Sequence, residues 1–235
     1  MNRQAQAVVL LLLGGAVVRA SVTDLYLRYV KEGLRPFLIA AGLLLIAAAV
    51  TTLWYDLQDR TPAEEHGHHH EPRVGWLLIL PVLGLLLVSP PALGSYAAGQ
   101  AGTVLTSQNP ESDYPPLPAG DPVPVTLLDY ASRAVFDEGR SLTGRTLQLT
   151  GFVTTGADGG PMLARMVLSC CAADGRPIKV ALSGDVPTAV APDTWVQVTG
   201  IYSARRGTDE INQAAVPFVE VTAWTEIPPP RQPYE

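Results

Sequence analysis

Both cysteines of this 235-residue chain are adjacent, Cys170 and Cys171, and Asp174 follows three residues later. Thiolates bind soft and borderline metals and carry disulfide chemistry, so a vicinal pair beside a carboxylate has two reactive readings and one structural reading. Neighbouring α-carbons stand about 3.8 Å apart, below the usual span of a disulfide, so a Cys170–Cys171 bridge would be strained and easily reduced. Zinc sites ordinarily place two or more residues between cysteines, and on a regular strand the two sulfurs would point to opposite faces. A joint metal site therefore requires a turn or bulge, which Ala172, Ala173, Asp174 and Gly175 could supply. Three readings stand together: small structural residues, a thiolate metal site with Asp174, or a redox pair.

The second cluster holds all four histidines of the chain: His66, His68, His69 and His70, with Glu64, Glu65 and Glu71 beside them. Neutral imidazole suits zinc, copper and nickel, and short His-rich tracts are a compositional sign of metal binding. Gly67 lets neighbouring rings converge on one ion. Nothing fixes four ligands at the spacings of a closed structural site, so weak, exchangeable capture is the expected chemistry, against a plain polar connection as the alternative. No Ser/His/Asp array, phosphate loop or paired-carboxylate site is evident, and an enzyme is not expected.

The elements that must carry these residues fall into two regions. Only 16% of residues are charged and the mean hydropathy is +0.18, whereas a soluble domain carries about 25% charge. Residues 1–95 hold seven basic and seven acidic side chains, and residues 96–235 hold nine and fifteen, so the net charge of −6 lies wholly in the second region. The sparse, acid-dominated charge makes nucleic acid a poor partner.

Residues 37–54 form an uncharged run of membrane-spanning length, with Arg35 before it and Trp54 and Tyr55 at its far end. A further span is expected near 74–93, where Pro81 is tolerable in a bilayer. The first apolar run, near 5–27, reads as a retained helix or as a signal peptide ending near Ala20. Three spans, or two after cleavage, make residues 1–95 the membrane region, with residues 60–73 as its His-rich loop. Arg19 and Asp24 are candidates for a polar pair within a span, or for interfacial residues. The positive charges balance across the two sides, but none falls between Arg73 and Arg133, which favours an extracytoplasmic carboxy-terminal domain.

Residues 96–125 are rich in Pro and Gly and read as a linker. Residues 126–235 form the expected β domain. Its opening stretch, 126–138, has helical periodicity with Thr126 as cap and Asp129 three residues on. Strands are expected over 145–154, 161–169, 177–183, 194–203 and 215–227, with Gly151 and Gly200 at bulges or tight bends. One helix and five short strands suggest a small OB-like barrel, with an open sheet as the alternative. Phe152, Trp195, Tyr202, Phe218 and Trp224 are expected to pack in the core or at its rim.

Leu163-Ala164-Arg165 running into Ser169-Cys170-Cys171-Ala172-Ala173-Asp174, with Thr150-Gly151-Phe152-Val153 before and Trp195-Val196-Gln197-Val198-Thr199-Gly200 after, resembles the YcgQ-like family of permease subunits. The His-rich loop before Trp76 and the run Pro90-Pro91-Ala92-Leu93-Gly94-Ser95 fit as well. The resemblance implies a bacterial membrane protein with a carboxy-terminal domain of unknown function, encoded beside a larger multi-pass permease. It places Arg165, Cys170, Cys171 and Asp174 on the family signature, with Gly175 standing where a small residue such as alanine is expected. The expected function is an accessory subunit of a membrane transport system, in contact with a permease partner and the lipid bilayer, handling zinc or another transition metal. A redox or sensory protein using Cys170 and Cys171, and a structural partner-binding module, are the alternatives.

Overall fold

The computed structural model describes residues 3–58, 84, 88, 90–105, 114–156, 158–187 and 190–235. The chain divides into two compact units, Met1–Pro91 and Ala92–Glu235. The histidine tract lies outside the described residues, as does nearly all of the expected span 74–93.

In the first unit, helix α1 (Arg3–Val22) and helix α2 (Arg35–Gln58) pack side by side. Small residues make that approach possible. A Cβ added to Gly14 would lie 2.8 Å from the Gly42 carbonyl, and one added to Gly42 would lie 2.7 Å from a Val18 methyl, so both positions exclude any larger side chain. Contacts descend the second helix as they climb the first, from Gly14–Ile46 to Val18–Gly42, so the pair is antiparallel. Both helices are long and apolar enough to cross a membrane, with candidate windows at Ala5–Val22 and Glu32–Gln58. Outward-facing Leu11, Phe37, Leu44 and Trp54 are exposed. The first helix is shorter than the expected 5–27. It closes at Val22, and two 3₁₀ turns, Asp24–Arg28 and Glu32–Leu34, lead into α2. Arg35 locks this corner by donating from Nε to the Ser21 carbonyl at 3.0 Å and lying over the Tyr26 ring.

The second unit contains a short helix α3 (Ser95–Gln100), a two-residue strand β1 (Val123–Pro124), helix α4 (Leu127–Phe136) and five longer strands: β2 (Thr146–Thr155), β3 (Pro161–Val167), β4 (Arg176–Gly184), β5 (Trp195–Thr208) and β6 (Ala215–Glu226). The long strands run β2–β3–β4–β6–β5, and β5 pairs back onto β2, closing a five-stranded barrel. Closure depends on β2 serving two neighbours: Thr146 to Phe152 pair with β5, and Phe152 to Thr155 pair with β3. The β4–β6 contact is parallel and the other barrel pairings antiparallel.

Alternation along the strands divides the apolar residues as expected. Leu147, Leu149 and Val153 join Leu163, Ile178, Val180, Val196, Val198 and Val219 in the main core. Phe152 belongs to a smaller cluster with Ala98, Ala164, Met166 and Trp195, where its ring meets Trp195 edge-on. Tyr202 and Trp224 pack at the rim of the main core. Gly200 sits at a register shift, and a Cβ there would lie 2.4 Å from the Glu220 carbonyl, so the bulge needs glycine.

Helix α4 is amphipathic and places Leu127, Tyr130, Ala131 and Ala134 in the core. Thr126 Oγ1 accepts from Asp129 N at 3.1 Å, the cap read from the sequence. A second cap is remote: the Glu235 carboxylate accepts from Leu127 N and Leu128 N at 2.9 and 2.8 Å. Arg165 holds that carboxylate in place, with NH1 3.5 Å from Glu235 Oε1, and donates to the Gln232 carbonyl at 2.8 Å.

The described parts of 96–125 are bound into the barrel unit instead of standing off it as a spacer. The strap formed by residues 92–105 is stitched along its length. Leu93 N donates to Tyr234 Oη, Ser95 Oγ to Asp193, and Val104 N to the Pro177 carbonyl. Buried Lys179 donates to the Ala101 carbonyl at 2.9 Å and to Asp209 Oδ2 at 2.8 Å, while Asp209 also accepts from Thr103 N. Farther on, Arg133 and Arg145 hold the Pro115, Pro118 and Gly120 carbonyls. Periodicity could not reveal this segment, because its bonds run to partners distant in sequence.

Candidate metal centre

Strand β3 ends at Val167, and the chain bends through Ser169 and Cys170 into a single 3₁₀ turn, Ala172–Asp174, before β4 starts at Arg176. This turn is what the vicinal cysteines required. It breaks the strand alternation that would have sent the sulfurs to opposite faces.

The turn is closed by its own residues. Cys171 occupies the cap position, its sulfur accepting from Asp174 N while the Asp174 carboxylate reaches back to the Cys171 amide at 3.2 Å, the reciprocal pattern of a capping box. Asp174 also accepts from Ser169 N and Cys170 N, each at 2.8 Å, and from Cys170 Sγ at 2.8 Å. One carboxylate thus gathers three backbone amides and a thiol. Its pKa is held down at about 2, first by the Cys170 thiol and then by the amides of Cys170 and Ser169. The Cys170 thiol is correspondingly pushed up to about 11, chiefly by its hydrogen bond to Asp174 and next by Cys171. At neutral pH the site is a carboxylate holding a thiol proton.

Cys170 Sγ and Cys171 Sγ are 3.7 Å apart, and both are free thiols. The sulfurs and a carboxylate oxygen of Asp174 lie within 4.8 Å of one another, the arrangement that three metal ligands need. Two thiolates bonded to one tetrahedral zinc at about 2.3 Å stand about 3.8 Å apart, so the sulfurs already have the zinc bite. A thiolate and a carboxylate oxygen on the same ion stand about 3.6 Å apart. An ion held by all three would therefore have to replace the thiol proton and open the hydrogen-bonded 2.8 Å between Cys170 and Asp174. Cys170 is exposed, and Cys171 and Asp174 are half-buried, so an ion held by the three would keep a fourth coordination position open to solvent or to a donor from elsewhere.

Of the residues singled out in the sequence, Cys170, Cys171 and Asp174 come together; His66, His68, His69 and His70 lie outside the described residues. Arg165 serves the fold: besides holding Glu235 it lies over the Trp195 ring at 5.6 Å. Gly175 has a steric reason. A Cβ there would lie 2.7 Å from Leu93 Cδ1 and 3.1 Å from Leu168 Cδ2. Leu93, which carries no chemical signature in sequence, thus borders the turn, and Tyr234 Oη holds its amide.

A separate cleft of about 550 Å³ lies on the barrel between the 156–160 and 209–214 hairpins, with Met162, Lys179, Arg205, Asp209 and Phe218 among its lining residues. Its two most buried charges, Lys179 and Asp209, satisfy each other.

The arrangement defines a class: a small β-barrel presenting two thiols and a carboxylate at the end of one strand. Residues 132–235 match the family described as the DUF1980 C-terminal domain, a stretch that includes the whole barrel and all three ligand candidates. This fits a DUF1980/YcgQ-like family and a membrane-associated protein of unknown function. No curated protein and no solved structure matches the chain.

Proposed function

We propose that this protein is a non-enzymatic, membrane-anchored accessory subunit of a multi-pass permease, and that its barrel captures zinc or a similar transition metal through Cys170, Cys171 and Asp174. The observation that carries the reading is the 3.7 Å separation of two free thiols with a carboxylate beside them. That separation is the bite of one tetrahedral zinc. Three protein donors and an open fourth position favour an ion that is exchanged, as a transport accessory requires, over one locked in as a structural staple. The two apolar helices supply the anchor, and the His-rich tract adds a second, weaker place for the same class of ion.

The barrel order, in which the first strand pairs with the second and the fourth while the third and fifth run parallel, supports an OB-type fold. Its acidic surface points away from the nucleic-acid use of such barrels. One observation favours a structural reading of the same residues: Cys171 completes a capping box that serine would complete as well.

That equivalence supplies the test. Purified full-length protein, with His66, His68, His69 and His70 replaced by alanine, is dialysed against zinc and its metal content measured. The account expects one zinc per chain, lost in Cys170→Ser and Cys171→Ser, since serine keeps the cap but not the thiolate. Equal zinc content in the double serine variant would assign the cysteines to the turn alone.

A further inference from the structure

We infer that metal occupancy of the Cys170–Cys171–Asp174 turn and the seating of the 92–105 strap are one linked equilibrium, the ion loosening the strap; this rests on the metal reading above. The sulfurs need not move to take zinc, because their 3.7 Å separation already fits. The Cys170 Sγ–Asp174 distance of 2.8 Å does not fit and must lengthen by about 0.8 Å to reach the separation of two ligands on one ion. Moving Cys170 Sγ would spoil the sulfur bite, so the adjustment falls on Asp174. Its carboxylate is tied to three amides of its own turn, and its amide to Cys171. The carboxylate therefore cannot shift alone; the turn shifts with it.

Gly175 follows that turn directly, and Leu93 packs onto its bare Cα, at a place where an added Cβ would lie 2.7 Å from Leu93 Cδ1. Leu93 is in turn fixed by the bond from its amide to Tyr234 Oη at 2.9 Å. Close-packed contacts of this kind do not follow a displacement smoothly: a shift either opens a gap or makes a clash, and both weaken the seat. The strap position nearest the turn thus feels the ion. Linkage makes the effect reciprocal, so whatever unseats Leu93 strengthens metal binding by the factor with which metal unseats Leu93.

The test uses full-length protein with the four histidines replaced by alanine, and zinc as the probe. Hydrogen exchange of peptides spanning residues 92–105 is followed with and without zinc, and zinc affinity is measured by competition with a chromogenic chelator. Exchange at the Leu93 end of the strap is expected to speed up by about fivefold or more on zinc addition, with no change in Cys170→Ser. Leu93→Ala is expected to bind zinc more tightly by a similar factor. Tyr234→Phe, which removes only the hydroxyl that holds Leu93, is expected to do the same should the alanine variant fold poorly. Zinc bound at full stoichiometry with unaltered strap exchange, or with unchanged or weakened affinity in both variants, would overturn the linkage and leave the metal reading standing. No zinc bound at all would overturn both.

Discussion

The Cys170 thiol and the Asp174 carboxylate share one proton, and the environment of each pushes its pKa away from that of the other: the thiol up to about 11, the carboxylate down to about 2. An exposed cysteine is ordinarily a ready target for alkylation, but only the thiolate reacts. Over the range between the ordinary thiol pKa of about 8.5 and 11, Cys170 holds its proton where a typical thiol has lost it. In a Cys171→Ser background, which keeps the Asp174 hydrogen bond and removes the smaller contribution of Cys171, iodoacetamide should therefore modify Cys170 several-fold more slowly at pH 7.5 than a model thiol. Asp174→Asn removes the charge that holds the proton, so it should lower the thiol pKa and restore most of that rate. A Cys170 that reacts at the rate of the model thiol, with no response to Asp174→Asn, would remove the proton-sharing picture. The adjacent cysteines and nearby Asp174 were legible as a candidate, and so was the need for a turn between strands. The reach of the carboxylate back to three amides was not, because it depends on backbone angles that no residue type dictates.

At the scale of elements, the strands and α4 were readable because their signals are local: alternation of period two, the Thr126 cap, and glycine at the bulge where Gly200 meets the Glu220 carbonyl. Residues 92–105 were not readable, since their Pro- and Gly-rich surroundings hide a strap whose partners lie about 80 to 140 residues away in sequence. Two of those partners, Lys179 and Asp209, are also a buried ion pair with each other. Removing one member strands the other charge, so Asp209→Ala should cost roughly 3–5 kcal/mol, read as a fall in melting temperature followed by near-ultraviolet circular dichroism. The pair also has a pH signature. Burial alone pushes the Asp209 pKa up, but the hydrogen bonds from Lys179, Ile211 and Asn212 outweigh it and hold the folded value below the ordinary one. A depressed carboxylate stabilises the fold above its unfolded pKa of about 3.9, and that stabilisation is lost as pH falls below this value towards the folded pKa. Melting temperature should therefore drop on acidification from pH 5 to pH 3 more steeply in the wild type than in Asp209→Ala. Parallel profiles would show that the fold does not depress the Asp209 pKa.

At the scale of the whole molecule, the charge count separates a nearly neutral first region from an acidic second one, and the chain divides into two compact units, Met1–Pro91 with its two apolar helices and Ala92–Glu235 with the barrel. The closure of β2 onto β5 was not visible, as it pairs residues about 50 positions apart, and a local pattern does not say which strands become neighbours. Two places in the chain offer metal donors of different kinds, nitrogen in the histidine tract and sulfur in the barrel, and the central claim is that the barrel thiolates hold the ion. Zinc K-edge absorption of the full-length protein, loaded with one equivalent of zinc, separates these donors directly. The account predicts a first shell with two sulfur scatterers at about 2.3 Å and the remainder oxygen or nitrogen near 2.0–2.2 Å. A first shell made only of nitrogen and oxygen would contradict it.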